Sequence, residues 1–231
     1  MRISAAISLL LLSTTSGAAD RKAIEDVDSG ALTTESQVVQ GTNNTIDMAW
    51  WISSEFWEVS LGANPSIQDF QMNLVLDTLQ PYSVIAIVQA DISDFGAFTF
   101  YGEERIANGM LVEHIDEHGS RTVIPHDEGA SPDVTILLNQ MVPVLAAAMG
   151  NMGENFYFFP LPNFDAAENR LISPYEKGTI RVTLDTRENS AKSVIEIQLP
   201  LDALHIPRLC ANGKPAHVSW THCPWGGEKL N

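Results

Sequence analysis

The fold is decided by Thr179-Ile-Arg-Val-Thr-Leu-Asp-Thr186 and Ser193-Val-Ile-Glu-Ile-Gln-Leu199, which flank a polar loop at residues 187–192. Both segments alternate apolar and polar residues, and successive side chains of a strand point to opposite faces. The two segments therefore predict an antiparallel hairpin with one face buried and the other in water.

Further strand patterns lie between residues 83 and 159. Ser83–Gln89 is nearly all apolar and β-branched, which predicts a strand buried on both faces. A second hairpin is indicated around Asp116-Glu-His-Gly119, because glycine supplies the positive φ that tight turns need. With the strands that flank this turn, Met110–Ile115 and Arg121–Ile124, and with Ala97–Tyr101 and Asn155–Phe159, the set comes to about seven strands.

Three helical segments are predicted beside these strands. Asp47–Leu61 has apolar residues at helical spacing, and a second helix follows from a cap at Asn64 to a stop at Pro81. The third segment, residues 132–153, is a helical insertion that Pro143 should kink or break. Strands in antiparallel runs with few βαβ units predict a mainly β fold, an antiparallel sandwich; the alternative is an α+β fold with one antiparallel sheet.

The two ends of the chain differ in character from its middle. Arg2, the apolar run Ile3–Leu12 and the small residues Gly17 and Ala19 are typical of a secretory signal peptide over residues 1–19. Residues 20–45 are polar and predict a flexible leader, residues 46–205 the globular domain, and residues 206–231 a separate tail. No other stretch is expected to span a membrane, so the mature protein is predicted to be periplasmic or secreted.

The net charge of the chain limits which molecules it can bind. The formal net charge of −16 repels phosphate backbones, which excludes nucleic acid as a partner. No cofactor motif is present, and neither a nucleophile elbow nor a His-Glu-x-x-His helix occurs. We expect no cofactor, and another envelope protein or a glycan as the partner.

The tail carries the most specific local pattern of the chain. Cys210 is followed by Gly213-Lys214, and Trp220 precedes Cys223, which is followed by Gly227. This arrangement resembles a zinc ribbon, whose two Cys-x-x-Cys-Gly knuckles hold one tetrahedral zinc. The second cysteine of each knuckle is missing here, so the tail resembles a degenerate ribbon.

The resemblance to a zinc ribbon also implies how the two remaining cysteines are arranged. Zinc-bound sulfurs lie close together, so Cys210 and Cys223 are expected to form a disulfide in an oxidising compartment. The alternatives are a metal site that adds His217 or His222, and free thiols. Neighbouring residues of an extended chain point to opposite faces, and the adjacency of His222 to Cys223 therefore argues against the metal.

Two further groups of residues are candidate sites. His114 and His118 lie among carboxylates, but the hairpin pattern predicts a solvated turn instead of a metal site. Trp50, Trp51 and Trp57 could form a platform that stacks on sugar rings, or could anchor their helix to the core.

The succession of strands, hairpin turns and a helical insertion over residues 80–200 also resembles immunoglobulin-like envelope domains. This resemblance implies a role in binding or scaffolding. We therefore expect a non-catalytic exported protein. The alternatives are a hydrolase without a linear motif, acting through acids near Asp165 or Asp127, and a metal-binding protein.

Overall fold

The structure is a computed structural model that describes residues 19–41, 44–127, 129–186 and 192–230. The signal peptide predicted over residues 1–19 lies outside these ranges except for Ala19. The described helices are α1 (Ser29–Ser36), α2 (Ser54–Gly62), α3 (Asp69–Leu79), α4 (Glu103–Gly109), α5 (Pro132–Asn139), α6 (Met141–Met149) and α7 (Asn151–Glu154). The described strands are β1 (Gln37–Gly41), β2 (Thr45–Ile52), β3 (Tyr82–Ile92), β4 (Phe98–Phe100), β5 (Met110–Asp116), β6 (Arg121–Val123), β7 (Tyr157–Pro162), β8 (Gly178–Asp185), β9 (Lys192–Leu199), β10 (Arg208–Leu209) and β11 (Pro215–Ala216).

All strand pairs between these elements are antiparallel. The first sheet has the order β1-β2-β3, and the far edge of the long strand β3 pairs with β7 along its first half and with β4 at its end. The second sheet has the order β6-β5-β8-β9, and β10 pairs with β11 in the tail. Helix accounts for 30% and strand for 34% of the structure. The antiparallel class is therefore confirmed, with two larger sheets and nearly as much helix as strand.

The core lies where these two sheets and the first helices meet. Every residue from Ser83 to Ala90 is buried, as the sequence predicted for a strand covered on both faces. In β8 and β9 burial alternates, and β9 contacts β1 and β2 of the first sheet. On β2, the ring of Trp50 meets that of Phe56 from α2 edge-on at 5.1 Å between centroids. The central strands of the first sheet are thus covered on both faces, while the second sheet has a solvent-exposed outer face.

The structure corrects the prediction of a flexible leader at residues 20–45. Its residues form α1 and β1, and β1 pairs with β2 along its whole length. The Asp28 carboxylate accepts a hydrogen bond from Ala31 N at 2.6 Å, which caps α1, and Leu32 is buried. At the start of the segment, Lys22 N donates to Leu204 O at 3.0 Å. A polar sequence is ordered here because a few apolar side chains and the edge of a strand attach it to the core.

The helix predicted at Asp47–Leu61 is also corrected, because its first half is strand β2 and α2 begins only at Ser54. Strands on both sides of β2 supply its hydrogen bonds, and this tertiary pairing overrides the helical spacing. The next helix, α3, ends before Pro81 as predicted but begins at Asp69, since Asn64 caps a turn by accepting from Ser66 N at 3.0 Å.

The helical insertion is interrupted between α5 and α6 as predicted. Pro143 has no N–H, so the carbonyl of Asn139 lacks its usual helical partner and the helix breaks at Gln140. Taken together, Pro132–Met149 is long and apolar enough, by length and composition alone, to cross a membrane, with a mean hydropathy of 1.3. This corrects the expectation that no stretch beyond the amino-terminal run meets that criterion.

Candidate functional site

The tail at residues 206–230 is a small unit with its own core. Cys210 and Cys223 are joined in a disulfide with their Cα atoms 5.7 Å apart. Their side chains, together with Ala216 and Leu230, form a buried cluster separate from the main core. A cluster of this size is too small to fold alone, so the covalent link is a main source of the tail's stability.

Each cysteine is followed by a turn that closes at a glycine, three residues after Cys210 and four residues after Cys223. Gly213 N donates to Cys210 O at 2.8 Å, and Gly227 N donates to Cys223 O at 2.8 Å. Both glycines have positive φ, 79° and 74°, a conformation that side chains with a Cβ rarely adopt. Glycine was expected at these two turns, and the disulfide was expected between these two cysteines. The resemblance of the whole tail to a zinc ribbon stays a prediction.

The metal alternative in the tail meets a chemical obstacle. Within the described ranges, Cys210, Cys223 and Glu228 bring possible ligand atoms within 4.8 Å of one another. Sulfurs bonded to each other are not thiolates, however, and zinc binds thiolates. The Glu228 carboxylate instead accepts a hydrogen bond from Ala211 N at 2.8 Å, and this bond lowers the pKa of Glu228.

The two tail histidines predicted as possible ligands have other contacts. His217 Nδ1 lies 2.8 Å from Ser219 Oγ, and His222 Nδ1 lies 3.1 Å from Thr221 Oγ1. Neither joins the group of ligand atoms formed by the cysteines and Glu228 in the part of the tail that is described. The structure therefore does not bring the four predicted ligands together.

The exposed tryptophans of the protein lie in the tail. Trp220 and Trp225 are 39% and 51% exposed, and their rings meet at 72° with 6.1 Å between centroids. The Lys214 ammonium lies 4.9 Å from the ring centroid of Trp225. Arg208 fixes the loop that carries Trp220, because its Nη2 donates to Val218 O at 2.9 Å. We call Lys214, Trp220 and Trp225 the tail surface.

The other three tryptophans do not form the predicted platform for sugar stacking. Trp50, Trp51 and Trp57 are only 5%, 0% and 8% exposed, so none presents a ring face to a ligand. Trp50 Nε1 donates to Ser36 Oγ at 3.2 Å, which ties β2 to α1. These rings belong to the core, and the prediction of a platform there is wrong.

The hairpin of His114 and His118 is a turn, as its sequence indicated. The Asp116 carboxylate accepts hydrogen bonds from His118 N and Ser120 N, both at 2.8 Å, and the Ser120 bond is the main cause of its lowered pKa. His118 is exposed, whereas burial lowers the pKa of His114. Among the described residues these histidines belong to no group of three possible metal ligands.

The acids considered for hydrolysis shape loops. Asp165 accepts hydrogen bonds from the Asn169 side chain, from Asn169 N at 2.9 Å and from Ala167 N at 2.8 Å, and these bonds lower its pKa. Asp127 accepts from Gly129 N at 2.9 Å. Both carboxylates thus serve as hydrogen-bond acceptors of turns.

A different pair of acids lies on α2. Arg170 binds the buried carboxylate of Glu55 at both oxygens, Nη1 to Oε1 at 2.6 Å and Nη2 to Oε2 at 2.9 Å. Burial alone would raise the pKa of Glu55, but the hydrogen bonds and charge of Arg170 outweigh it and lower the pKa. One turn later, burial and the negative charge of Glu55 raise the pKa of Glu58.

Glu58 lines a groove of about 210 Å³ between α2 and α3, together with Ser54, Trp57, Leu76, Asp77, Leu79 and Gln80. Sequence reasoning missed this pair of acids. Glu55 and Glu58 are spaced as one face of a helix requires, but their setting depends on Arg170, which lies 115 residues away in sequence.

Neither protein-family models, curated proteins nor solved structures match this chain when compared with it. Function is therefore inferred from the residues and their contacts alone.

Proposed function

We propose that this chain is an exported, non-catalytic binding or scaffolding protein of the cell envelope, and that it holds its partner through the tail surface. The observation that carries the proposal is the pair of exposed tryptophans, Trp220 and Trp225, on a unit closed by a disulfide.

Two properties of the tail surface suit it for binding. Tryptophan is among the residues that contribute most to binding energy at interfaces, because a large rigid ring buries much area at small entropic cost. The disulfide, the Arg208 hydrogen bonds and the two glycine turns hold both rings in place before a partner arrives. A preorganised surface loses less conformational entropy when it binds.

Export is supported by the chemistry of the tail and by the amino-terminal sequence. Disulfides persist in oxidising compartments and are rare where thiol buffers act. The signal peptide pattern at residues 1–19 provides a route to such a compartment. With a net charge of −16, the partner is expected to be a protein or a glycan without a dense negative charge.

The test is photo-crosslinking in the native cell. A photoreactive amino acid replaces Trp225 in one variant and Val123 in a control, because Val123 is 55% exposed on strand β6, outside the tail. We expect a discrete adduct from position 225 that weakens when Trp220→Ala is added, and none from position 123. Equal labelling at both positions, or no adduct at position 225, would contradict the proposal.

A second candidate function is hydrolysis at the α2–α3 groove. The observation that favours it is the position of Glu58 in this groove, where burial and the negative charge of Glu55 raise its pKa. Turnover of aryl glycosides between about pH 4 and 8 that disappears in Glu58→Gln would establish this function. The control is the single variant Asp69→Asn, since Asp69 is exposed at the start of α3. It should keep the activity.

A further inference from the structure

An exposed apolar surface lies on the helices α5 and α6. The exposed residues of Pro132–Met149 form one stripe at helical spacing. In α5 this stripe carries Ile136 among the polar residues Asp133, Thr135, Asn139 and Gln140, whereas in α6 it is apolar, with Pro143, Val144, Ala147 and Ala148. Ile136 is 56% and Val144 68% exposed. The helix is apolar on its inner side as well, where Val134 and Leu138 are 0% and 3% exposed in the core.

Helix α6 consists of apolar residues alone, none of them fully buried, and a helix that is apolar on both sides is ordinarily buried in a core or in a membrane. Only 11% of Pro132–Met149 is buried within the molecule, so it is not a core helix. It lies in the middle of the chain, so it is not a signal sequence either. The neighbouring helix α3, which contacts α5, adds two more exposed apolar side chains, Phe70 at 78% and Leu74 at 59%. A surface this apolar and this exposed needs a covering.

The distribution of charged residues indicates what covers this apolar surface. No Asp, Glu, Lys, Arg or His occurs from Val134 to Gly153, while the chain as a whole carries a net charge of −16. A second copy of the chain would bring two strongly acidic bodies together, and anionic lipids would repel the protein in the same way. A bilayer of zwitterionic lipids offers an apolar, uncharged layer without that repulsion.

We propose that α5 and α6 bind the surface of a zwitterionic lipid bilayer, with Ile136 and Val144 inserted among the acyl chains. The helix pair lies on the bilayer and does not cross it, because Val134 and Leu138 anchor its inner side in the protein core and the helix breaks at Gln140. Apolar side chains inserted at the interface supply the binding energy, which scales with the apolar area that they bury.

A fluorophore attached at one position of α6 tests whether this helix binds the bilayer. Its signal comes from that position alone, so the apolar amino-terminal run does not interfere. Val144→Cys introduces one reactive thiol, because Cys210 and Cys223 are bonded to each other. We label it with an environment-sensitive fluorophore and add phosphatidylcholine vesicles. Val123→Cys on β6, with its similar exposure of 55%, is the matched control. The expected result is a blue shift at position 144, quenched by spin-labelled lipid, and no change at position 123.

A second measurement uses charge insertion. Val144→Asp should weaken co-flotation with phosphatidylcholine vesicles by about tenfold or more, while Val123→Asp leaves it unchanged, because a carboxylate is costly to insert among acyl chains. Circular dichroism of both variants checks that they fold. Vesicles with added phosphatidylglycerol should bind less, and this loss should shrink at high salt.

Several results would overturn the proposal. They are no spectral shift at position 144 with vesicles, an equal shift at position 123, or stronger binding to the anionic vesicles. A shift without vesicles, together with a dimer in analytical ultracentrifugation, would show that a second copy covers the helices. Trp225→Ala should leave vesicle binding unchanged, so failure here and failure of the tail surface can be told apart.

Discussion

Arg170 and Glu55 form a bidentate ion pair inside the protein, with donor-to-acceptor distances of 2.6 and 2.9 Å. Glu55 lies at the start of α2, and Arg170 lies within the loop that connects β7 to β8. The pair therefore fixes a long irregular segment against the helix. Its environment matters for its energy, because the Glu55 side chain is 8% exposed and that of Arg170 is 26% exposed.

Arg170→Ala is expected to destabilise the protein by about 3–5 kcal/mol, because it leaves the buried Glu55 carboxylate without its partner. Urea unfolding followed by circular dichroism measures the change. The control is Arg181→Ala, which breaks the more exposed pair with Glu196 between β8 and β9 and should cost no more than about 1 kcal/mol. Equal losses in the two variants would contradict this account of Glu55.

Asp47 gives a prediction about pH. Burial raises its pKa above the ordinary value of 3.8, although hydrogen bonds from Ser193 and Gln89 oppose the shift. A raised pKa means that the folded state favours the protonated carboxyl. This contribution to stability is present below pH 3.8 and is lost as pH rises through the raised pKa.

Asp47→Asn removes this titration at nearly constant size. The free energy of unfolding of the variant, relative to that of the unaltered protein, should therefore increase from acidic to neutral pH. Urea titrations at several pH values measure it, with Asp94→Asn in an exposed turn as the control. A difference that stays constant with pH, or one that falls, would show that folding does not raise the pKa of Asp47.

Gly153 gives a packing prediction. A methyl group at this position would collide with the carbonyl of Leu145, because α7 folds directly onto the backbone of α6. Gly153→Ala should thus destabilise the protein or displace α7. Gly62→Ala, at the end of α2 with open space around it, should be neutral or slightly stabilising. Thermal unfolding of both variants compares them, and a neutral Gly153→Ala would mean that α7 does not pack this closely.

Removing the disulfide should loosen the tail without unfolding the main body. In the chain-entropy picture a link of this span contributes about 3 kcal/mol, and the tail core is separate from the main core. Cys210→Ser with Cys223→Ser should increase proteolysis within residues 206–230 and acrylamide quenching of tryptophan. Quenching reports on the tail because Trp220 and Trp225 are the exposed tryptophans. Unchanged proteolysis and quenching would show that the link is dispensable.

The local patterns of the sequence predicted much of the fold. The hairpins β5–β6 and β8–β9 followed from alternation around polar turns, and β3 followed from its continuous apolar run. The disulfide followed from the resemblance to a zinc ribbon. In each case the residues that decide the structure lie close together in sequence, or match a known local pattern.

What the sequence did not predict depends on partners distant in sequence. Strand β2 was taken for a helix because its hydrogen-bonding partners, β1 and β3, are not visible in its own spacing. Helix α4 was missed, since Glu103–Gly109 is short and only Ile106 is buried. The acids of α2 and the exposed tryptophans of the tail became evident only from burial, which depends on how the whole chain packs.

Alkylation of the protein taken from its native compartment tests the tail most directly. Mass spectrometry after treatment with iodoacetamide alone should find Cys210 and Cys223 unmodified, and after reduction both should carry the label. Labelling of either cysteine before reduction, or retention of one zinc per chain, would contradict a tail closed by its own two sulfurs.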